Sequence, residues 1–237
     1  MQVQIDVVLV DIGNSQIKSA EVQNGAIQQI RIWPSAQHLF DHYDSTVEFM
    51  VCATGNLPFG FREDQVLTYN TKVPIEIEYK TPQTLGMDRV AAAVGASYLF
   101  PGKNLLLVDA GTCLTMDFIA AEGVFKGGVI SPGLQMRMKS MSLSTANLPD
   151  ISDSWSAEQV KLWGDSTYSC LLAGSYGGML NEINGMLLQL QSHFTSINLI
   201  VTGGDAHHFE SKLKAAIFAG SKMVLTGLYQ IWKGLQG

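Results

Sequence analysis

The chain has 237 residues, 46% of them hydrophobic and 15% charged, with a formal net charge of −6. That composition excludes a disordered chain and supplies apolar material for buried cores, and the length suits two compact halves of ordinary size. The acidic balance, with no dense Lys/Arg run, excludes an electrostatic footprint for nucleic acid or anionic lipid, so any phosphate site must be local.

The opening residues MQVQIDVVLVDIG carry no basic leader and no cleavable apolar segment. No run approaches the ~18 apolar residues of a membrane span, so a cytoplasmic protein without membrane contact is expected. The apolar run Val7–Val10 ends in Asp11-Ile12-Gly13-Asn14-Ser15 and resumes as the β-rich stretch IKSAEV before a turn at Asn24-Gly25. His38 and His42 share one helical spacing but have no obvious third ligand. An alanine-rich stretch from Asp88 to Tyr98 predicts a helix, and Pro101-Gly102-Lys103 divides the chain into an N-terminal half, 1–102, and a C-terminal half, 103–237.

The second half repeats the opening of the first. LLLV at 105–108 ends in Asp109-Ala110-Gly111-Thr112 and resumes as LTMDFIA, a turn at Glu122-Gly123 and the strand VFKGGVI. The Gly/Pro stretch Gly127–Gly133 predicts a site-forming loop. Met136, Met138 and Met141 read as packing material. A long helix is expected over 165–194, with Gly174, Gly177 and Gly178 marking close helix packing. INLIVTGGDA at 197–206 is a strand ending in Gly203-Gly204 before a further helix, with His207-His208 on the surface. Cys52, Cys113 and Cys170 are odd in number and lack CxxC spacing, so they read as reduced, mostly buried thiols.

A duplication of this length suits two domains, each a β-meander closed by helices, facing each other across a nucleotide cleft. A metal-bound phosphate needs backbone N–H donors at close range and a carboxylate nearby. Asp-x-Gly between two strands supplies both: Gly13 and Gly111 remove side chains where the backbone must approach, and Asn14, Ser15 and Thr112 add hydrogen-bonding groups. Lys18 can neutralise phosphate charge. One such turn would be an ordinary hairpin, but two in equivalent contexts, with Thr202-Gly203-Gly204 after a third strand, point to one triphosphate. No GxxxxGK[ST] loop and no strand–GxGxxG–helix unit is present, which excludes the P-loop and Rossmann alternatives. Asp88, at the mouth of a predicted helix, is the candidate base for an alcohol acceptor. Arg89 either grips a substrate carboxylate or orients Asp88, and local sequence leaves open a capping Asp with a solvated Arg.

The motif set resembles type III pantothenate kinases over most of the chain. The resemblance rests on D-I-G-N-S-x-x-K at 11–18, Y-x-x-P-x-x-L-G-x-D-R at 79–89 and D-A-G-T-x-x-T-x-D at 109–117. It continues through G-G-x-I-x-P-G at 127–133, T-A-x-L-P at 145–149, G-D-S-T at 164–167 and T-G-G-D-A at 202–206. It implies an α/β protein with the duplicated actin-like (ribonuclease H-like) ATPase fold of the acetate and sugar kinase/Hsp70/actin superfamily, two domains around a nucleotide cleft, usually as a homodimer. The implied activity is ATP-dependent phosphorylation of pantothenate, the first committed step of coenzyme A synthesis.

Carried over by position, Asp11, Ile12, Gly13, Asn14, Ser15, Gln16, Ile17, Lys18 and Thr112 would contact ATP. Tyr79, Gly86, Met87, Asp88, Arg89 and Thr167 would contact pantothenate, with Asp88 as proton acceptor. Asp109 would bind a monovalent cation, potassium or ammonium, while magnesium accompanies ATP. Two positions depart from the family pattern: Ser15 stands where Thr is usual, and Cys113 where Ala is common. The resemblance also admits a transcription-accessory regulator on the same fold, or a kinase of another small alcohol; the intact Asp88-Arg89 pair and both turns favour the enzyme.

Overall fold

In the computed structural model, which describes residues 4–44, 46–55 and 57–237, the run Val7–Val10 forms the fully buried centre of β1 (Val7–Ile12). A strand covered on both faces reads as an unbroken apolar run, which is why the segment was legible. Residues 1–3, on which part of the expectation about the opening segment falls, lie outside the described residues. β2 (Ile17–Gln23) returns antiparallel to β1, and β3 (Ala26–Trp33) follows through Asn24-Gly25, whose φ values of 52° and 74° are those of a two-residue hairpin turn. After α1 (Ala36–His42), β4 (Phe49–Ala53) lies parallel to β1, giving the order β3-β2-β1-β4. A core of Val8, Val10, Ile12, Leu39, Tyr43, Phe49 and Val51 fills the side of this sheet that α1 covers. The short β5 (Glu76–Ile77) and α2 (Met87–Leu99) complete this part of the chain.

The second sheet repeats the scheme. β6 (Leu105–Ala110) pairs antiparallel with β7 (Cys113–Ala120), followed by β8 (Val124–Pro132). Beyond α3 (Leu134–Ser144), α4 (Thr167–Leu172) and α5 (Gly178–His193), β9 (Asn198–Thr202) lies parallel to β6, and β10 (Ile217–Phe218) parallel to β9. The order is β10-β9-β6-β7-β8, with β5 joined to the opening residues of β8. In both sheets the first strand of the Asp turn has its antiparallel partner on one side and a later, parallel strand on the other.

By contact the chain divides into two compact units, one of residues 1–102, 121–126 and 221–237, the other of residues 103–120 and 127–220. The last segment is α6 (Met223–Leu235), which packs against α2. Two glycines set that approach: a Cβ at Gly227 would meet the Ala91 carbonyl, and one at Gly95 would meet the Met223 carbonyl and, at 3.0 Å, the Gly227 nitrogen. Interhelical distance follows the side chains at the contact, so glycine on both helices brings the backbones together.

Several expectations need correction. The 165–194 region is not one α-helix: α4 and α5 flank a π-helical segment, Ala173–Gly177. Gly174, Gly177 and Gly178 face open space rather than a tightly packed neighbour, so their weak helix propensity accompanies a change of helical pitch instead. Gly127–Gly133 is no loop, because β8 runs on to Pro132 with Gly128 lying too close to the Met116 carbonyl for a side chain. After Gly204 the chain makes only the 3-10 turn Ala206–Phe209, which holds His207 and His208. Of the three free thiols Cys52 is buried, Cys113 is partly exposed and Cys170 is exposed. Met138 is fully buried and Met141 packs on the same core, whereas Met136 is exposed. His42 packs its ring against Trp33, with centroids 5.2 Å apart. No helix among the described residues is long and apolar enough to cross a membrane.

Candidate active site

In the first unit the register of β1 on β2 sets Asp11 opposite Lys18 and Ile12 opposite Ile17. The turn is closed by the Gly13 N–H donating to the Gln16 carbonyl at 3.0 Å, which leaves Asn14, Ser15 and Gln16 exposed at its tip. A Cβ at Gly13 would meet only the Gln16 carbonyl, at an ordinary 3.4 Å. Chain packing therefore does not demand glycine there; an open backbone is its physical consequence.

On the other side of β1, Asp11 stands in register with Cys52 of β4. Burial raises the Asp11 carboxyl to a pKa of about 6, with Lys18 pulling it down and Asp88 pushing it up. The Asp88 carboxyl is likewise raised by burial, against the opposing effects of the Arg89 N–H and the Arg89 charge. The fully buried Cys52 thiol is pushed well above its ordinary value by burial, then by Asp11 and Asp88. The structure thus brings Asp88, distant in sequence, within electrostatic reach of Asp11 and its strand partner Lys18.

Asp88 occupies the first turn of α2, where the helix N-terminus favours a carboxylate. Gly86 precedes the helix, and a Cβ there would come within 2.5 Å of Asp88 Oδ1, so the missing side chain is what admits this carboxylate orientation. Met87 opens the helix beside it. Arg89 is only 6% exposed, with its guanidinium carbon 5.8 Å from the centre of the Phe125 ring. Tyr79 meets the same ring at 6.2 Å. Phe125 escaped the sequence reading because only the pairing of β5 with β8 brings it to the motif.

In the second unit Asp109 faces Thr115 on β7 and Thr202 on β9. The turn closes through the Gly111 N–H to the Cys113 carbonyl at 3.1 Å and presents Thr112 exposed at its tip. Backbone crowds this turn. The Gly133 N–H donates to the Thr112 carbonyl at 3.2 Å and the Asp205 N–H to the Ala110 carbonyl at 2.9 Å. Gly203 has φ +100°, and a Cβ there would sit 2.5 Å from Asp109 Oδ1 and from the Ala110 carbonyl carbon. The buried Thr202 hydroxyl donates to the Gly220 carbonyl, holding the end of β9. Asp205, a carboxylate without a role in the sequence reading, is raised by burial and lowered by His207. Thr167 sits on a third element: it is the exposed first residue of α4, just after Ser166, whose hydroxyl accepts the Ser169 N–H at 3.2 Å.

The oxygen donors beside Asp109 suit a hard cation, and among the described residues no group of three or more His, Cys, Asp or Glu could hold a metal ion.

Two sheets of repeated topology, each ending its first strand in an Asp-x-Gly turn, define an actin-like ATPase fold of the sugar-kinase type. A glucokinase from an Antarctic psychrotroph superposes with a TM-score of 0.54 at 13% identity, over 98% of this chain and 100% of that one. A Campylobacter jejuni chain assigned to the Baf family of transcriptional activators superposes with a TM-score of 0.62 at 22% identity, over 97% and 99%. At those identities the likeness is one of fold. The family profile of type III pantothenate kinase matches residues 56–189. A Phocaeicola vulgatus protein named type III pantothenate kinase is 38% identical over 240 residues, 94% of this chain and 96% of its own. The chain belongs to the type III pantothenate kinase family.

Proposed function

We propose that this protein transfers the γ-phosphoryl group of ATP to the hydroxyl of pantothenate, yielding 4'-phosphopantothenate in the first step of coenzyme A synthesis. The observation that carries the reading is the Asp88 carboxyl in the first turn of α2, with its pKa raised by burial and Gly86 leaving it room. A base poised above the ordinary carboxylate range is better matched to an alcohol proton than a solvated Asp. Asp88 accepts that proton as the hydroxyl attacks, and Arg89 and Tyr79 hold the acceptor by its carboxylate and polar backbone, with Gly86 and Met87 shaping the entrance and Thr167 contributing a hydroxyl. The segment Asp11–Lys18 contacts ATP in the first unit, with Lys18 offsetting phosphate charge, and Thr112 contacts it in the second. Phosphoryl transfer asks mainly for positioning and charge stabilisation, and these residue types supply them.

Magnesium carried by ATP neutralises charge on the transferring group. Asp109 is the ligand for a monovalent cation, potassium or ammonium, and the protein works as a cytoplasmic homodimer without nucleic acid. The regulatory reading is not favoured: the Phocaeicola vulgatus relative named as a kinase matches this chain at 38% identity, against 22% for the Baf-family structure.

The test is ADP release from ATP and magnesium, with pantothenate, with glucose or with no acceptor, in potassium and in sodium buffer. Release that requires pantothenate and potassium is expected. Release with glucose but not pantothenate would replace the substrate, and equal rates in both buffers would remove the cation from Asp109.

A further inference from the structure

Phe125 belongs to no motif that distinguishes the chain, yet it touches two residues of the Tyr79–Arg89 segment. Its ring is fully buried, with the Arg89 guanidinium carbon 5.8 Å from its centroid and the Tyr79 ring at 6.2 Å, tilted by 54°. Its place is fixed by backbone. β5 pairs in parallel with β8, Ile77 opposite Phe125, and the Glu78 N–H donates to the Phe125 carbonyl at 3.0 Å. Next to it, Lys126 Nζ meets Glu78 Oε2 at 2.6 Å, pinning the same two strands from their exposed side.

A cation over an aromatic face is attracted by the ring quadrupole, most strongly when desolvated, and Arg89 at 6% exposure has lost most of its water. A guanidinium seated this way makes its hydrogen bonds in its own plane, the geometry in which it takes a carboxylate with two parallel N–H donors. We propose that Phe125 is a positioning residue that holds the Arg89 guanidinium for bidentate capture of a substrate carboxylate, and so sets the preference for a carboxylate-bearing alcohol over a neutral one. The proposal rests on the reading that Arg89 grips the carboxylate of pantothenate. Lysine could not replace arginine here, because a point charge over the ring offers no planar fork.

The experiment compares pantothenate with its neutral primary amide as acceptors, in wild type, Phe125→Leu and Arg89→Gln. In Phe125→Leu, kcat/KM for pantothenate is expected to fall roughly tenfold, mostly through KM, the scale of one desolvated cation–π contact. Turnover of the amide should stay within about twofold, because that substrate never used the fork. Should Phe125→Leu not fold, Phe125→Met carries the same comparison, since Met fills irregular gaps. An equal loss on both acceptors would reduce Phe125 to packing and overturn the proposal. Loss of the carboxylate preference in Arg89→Gln but not in the Phe125 variant would also overturn it while leaving the reading of Arg89 intact. A preference kept in Arg89→Gln would remove that reading, and the proposal with it.

Discussion

The two Asp-x-Gly turns share a strand scheme and differ in what surrounds them. Asp11 has Cys52 beside it on the parallel strand and Asp88 within electrostatic reach, and its carboxyl is raised to about 6. Asp109 has Thr202 beside it, and its turn is hemmed in by backbone, with Gly133 and Gly203 both too close to carbonyl groups for any side chain. The first turn is surrounded by titratable side chains, the second by a fixed frame of peptide groups. On the proposed reading, both copies keep a framework that aims a carboxylate and N–H groups at a phosphate, while proton transfer belongs to one copy. The contrast suggests that replacing the carboxylates near Asp11 should alter rate and pH response, and that glycine substitutions should cost more stability at the second turn than at the first, although both turns are proposed to bind ATP.

The largest effect expected is on the first side. Asp88→Asn should lower turnover by about 10²–10⁴-fold, the usual contribution of a positioned general base, in steady-state assays with pantothenate. Near wild-type turnover would remove Asp88 from the mechanism and leave its raised pKa a matter of burial alone.

Glycine substitutions break the comparison through stability. Gly203→Ala adds the strain of φ +100° to a clash with the Ala110 carbonyl, and should cost about 2–4 kcal/mol in denaturant unfolding. Gly13→Ala meets only an ordinary 3.4 Å contact and should cost less than about 1 kcal/mol, with its damage appearing in ATP affinity. Equal costs at the two glycines would mean that the turns are framed alike.

A third test uses the raised Asp11 carboxyl. The folded state holds its proton more tightly than the unfolded chain does, so this group costs stability as pH rises from the ordinary value of 3.8 to about 6, with the full penalty above that range and none below it. Asp11→Asn should therefore gain thermal stability relative to wild type as pH rises from about 4 to about 6, and the gain should level off above that range. Lys18, Asp88 and Cys52 surround the group in both proteins and do not alter the sign of the difference. A difference in Tm that is flat with pH would contradict the assignment. The smallest effect belongs to Cys113, partly exposed beside the second turn: Cys113→Ala should leave stability within about 0.5 kcal/mol of wild type by thermal melts.

Legibility followed the kind of interaction involved. β1 and β6 announced themselves as apolar runs broken by Asp-x-Gly, because a strand buried on both faces leaves its mark in composition. α2 was visible through its alanines, but its docking on α6 was not, since Gly95 and Gly227 acquire meaning only when the helices meet. β3 passed unnoticed: as an edge strand reading AIQQIRIW it is largely exposed and polar. The glycines at 174, 177 and 178 misled, because a helical glycine marks either a close neighbour or a change of pitch, and sequence cannot separate these. Among the candidate residues, Asp11, Asp88 and Asp109 stand out in the sequence through local turns and a helix start. Phe125 and Cys52 do not, since each is brought to its carboxylate or arginine by strand pairing.

The division of labour between the two turns is tested most directly by the dissociation constant of ATP and magnesium, measured by calorimetry on Asp88→Asn and Thr112→Val. Asp88→Asn should bind ATP as wild type does, while Thr112→Val, which loses one exposed hydroxyl at the tip of the second turn, should bind it about two- to tenfold more weakly. Weakened binding in Asp88→Asn with unchanged binding in Thr112→Val would contradict it.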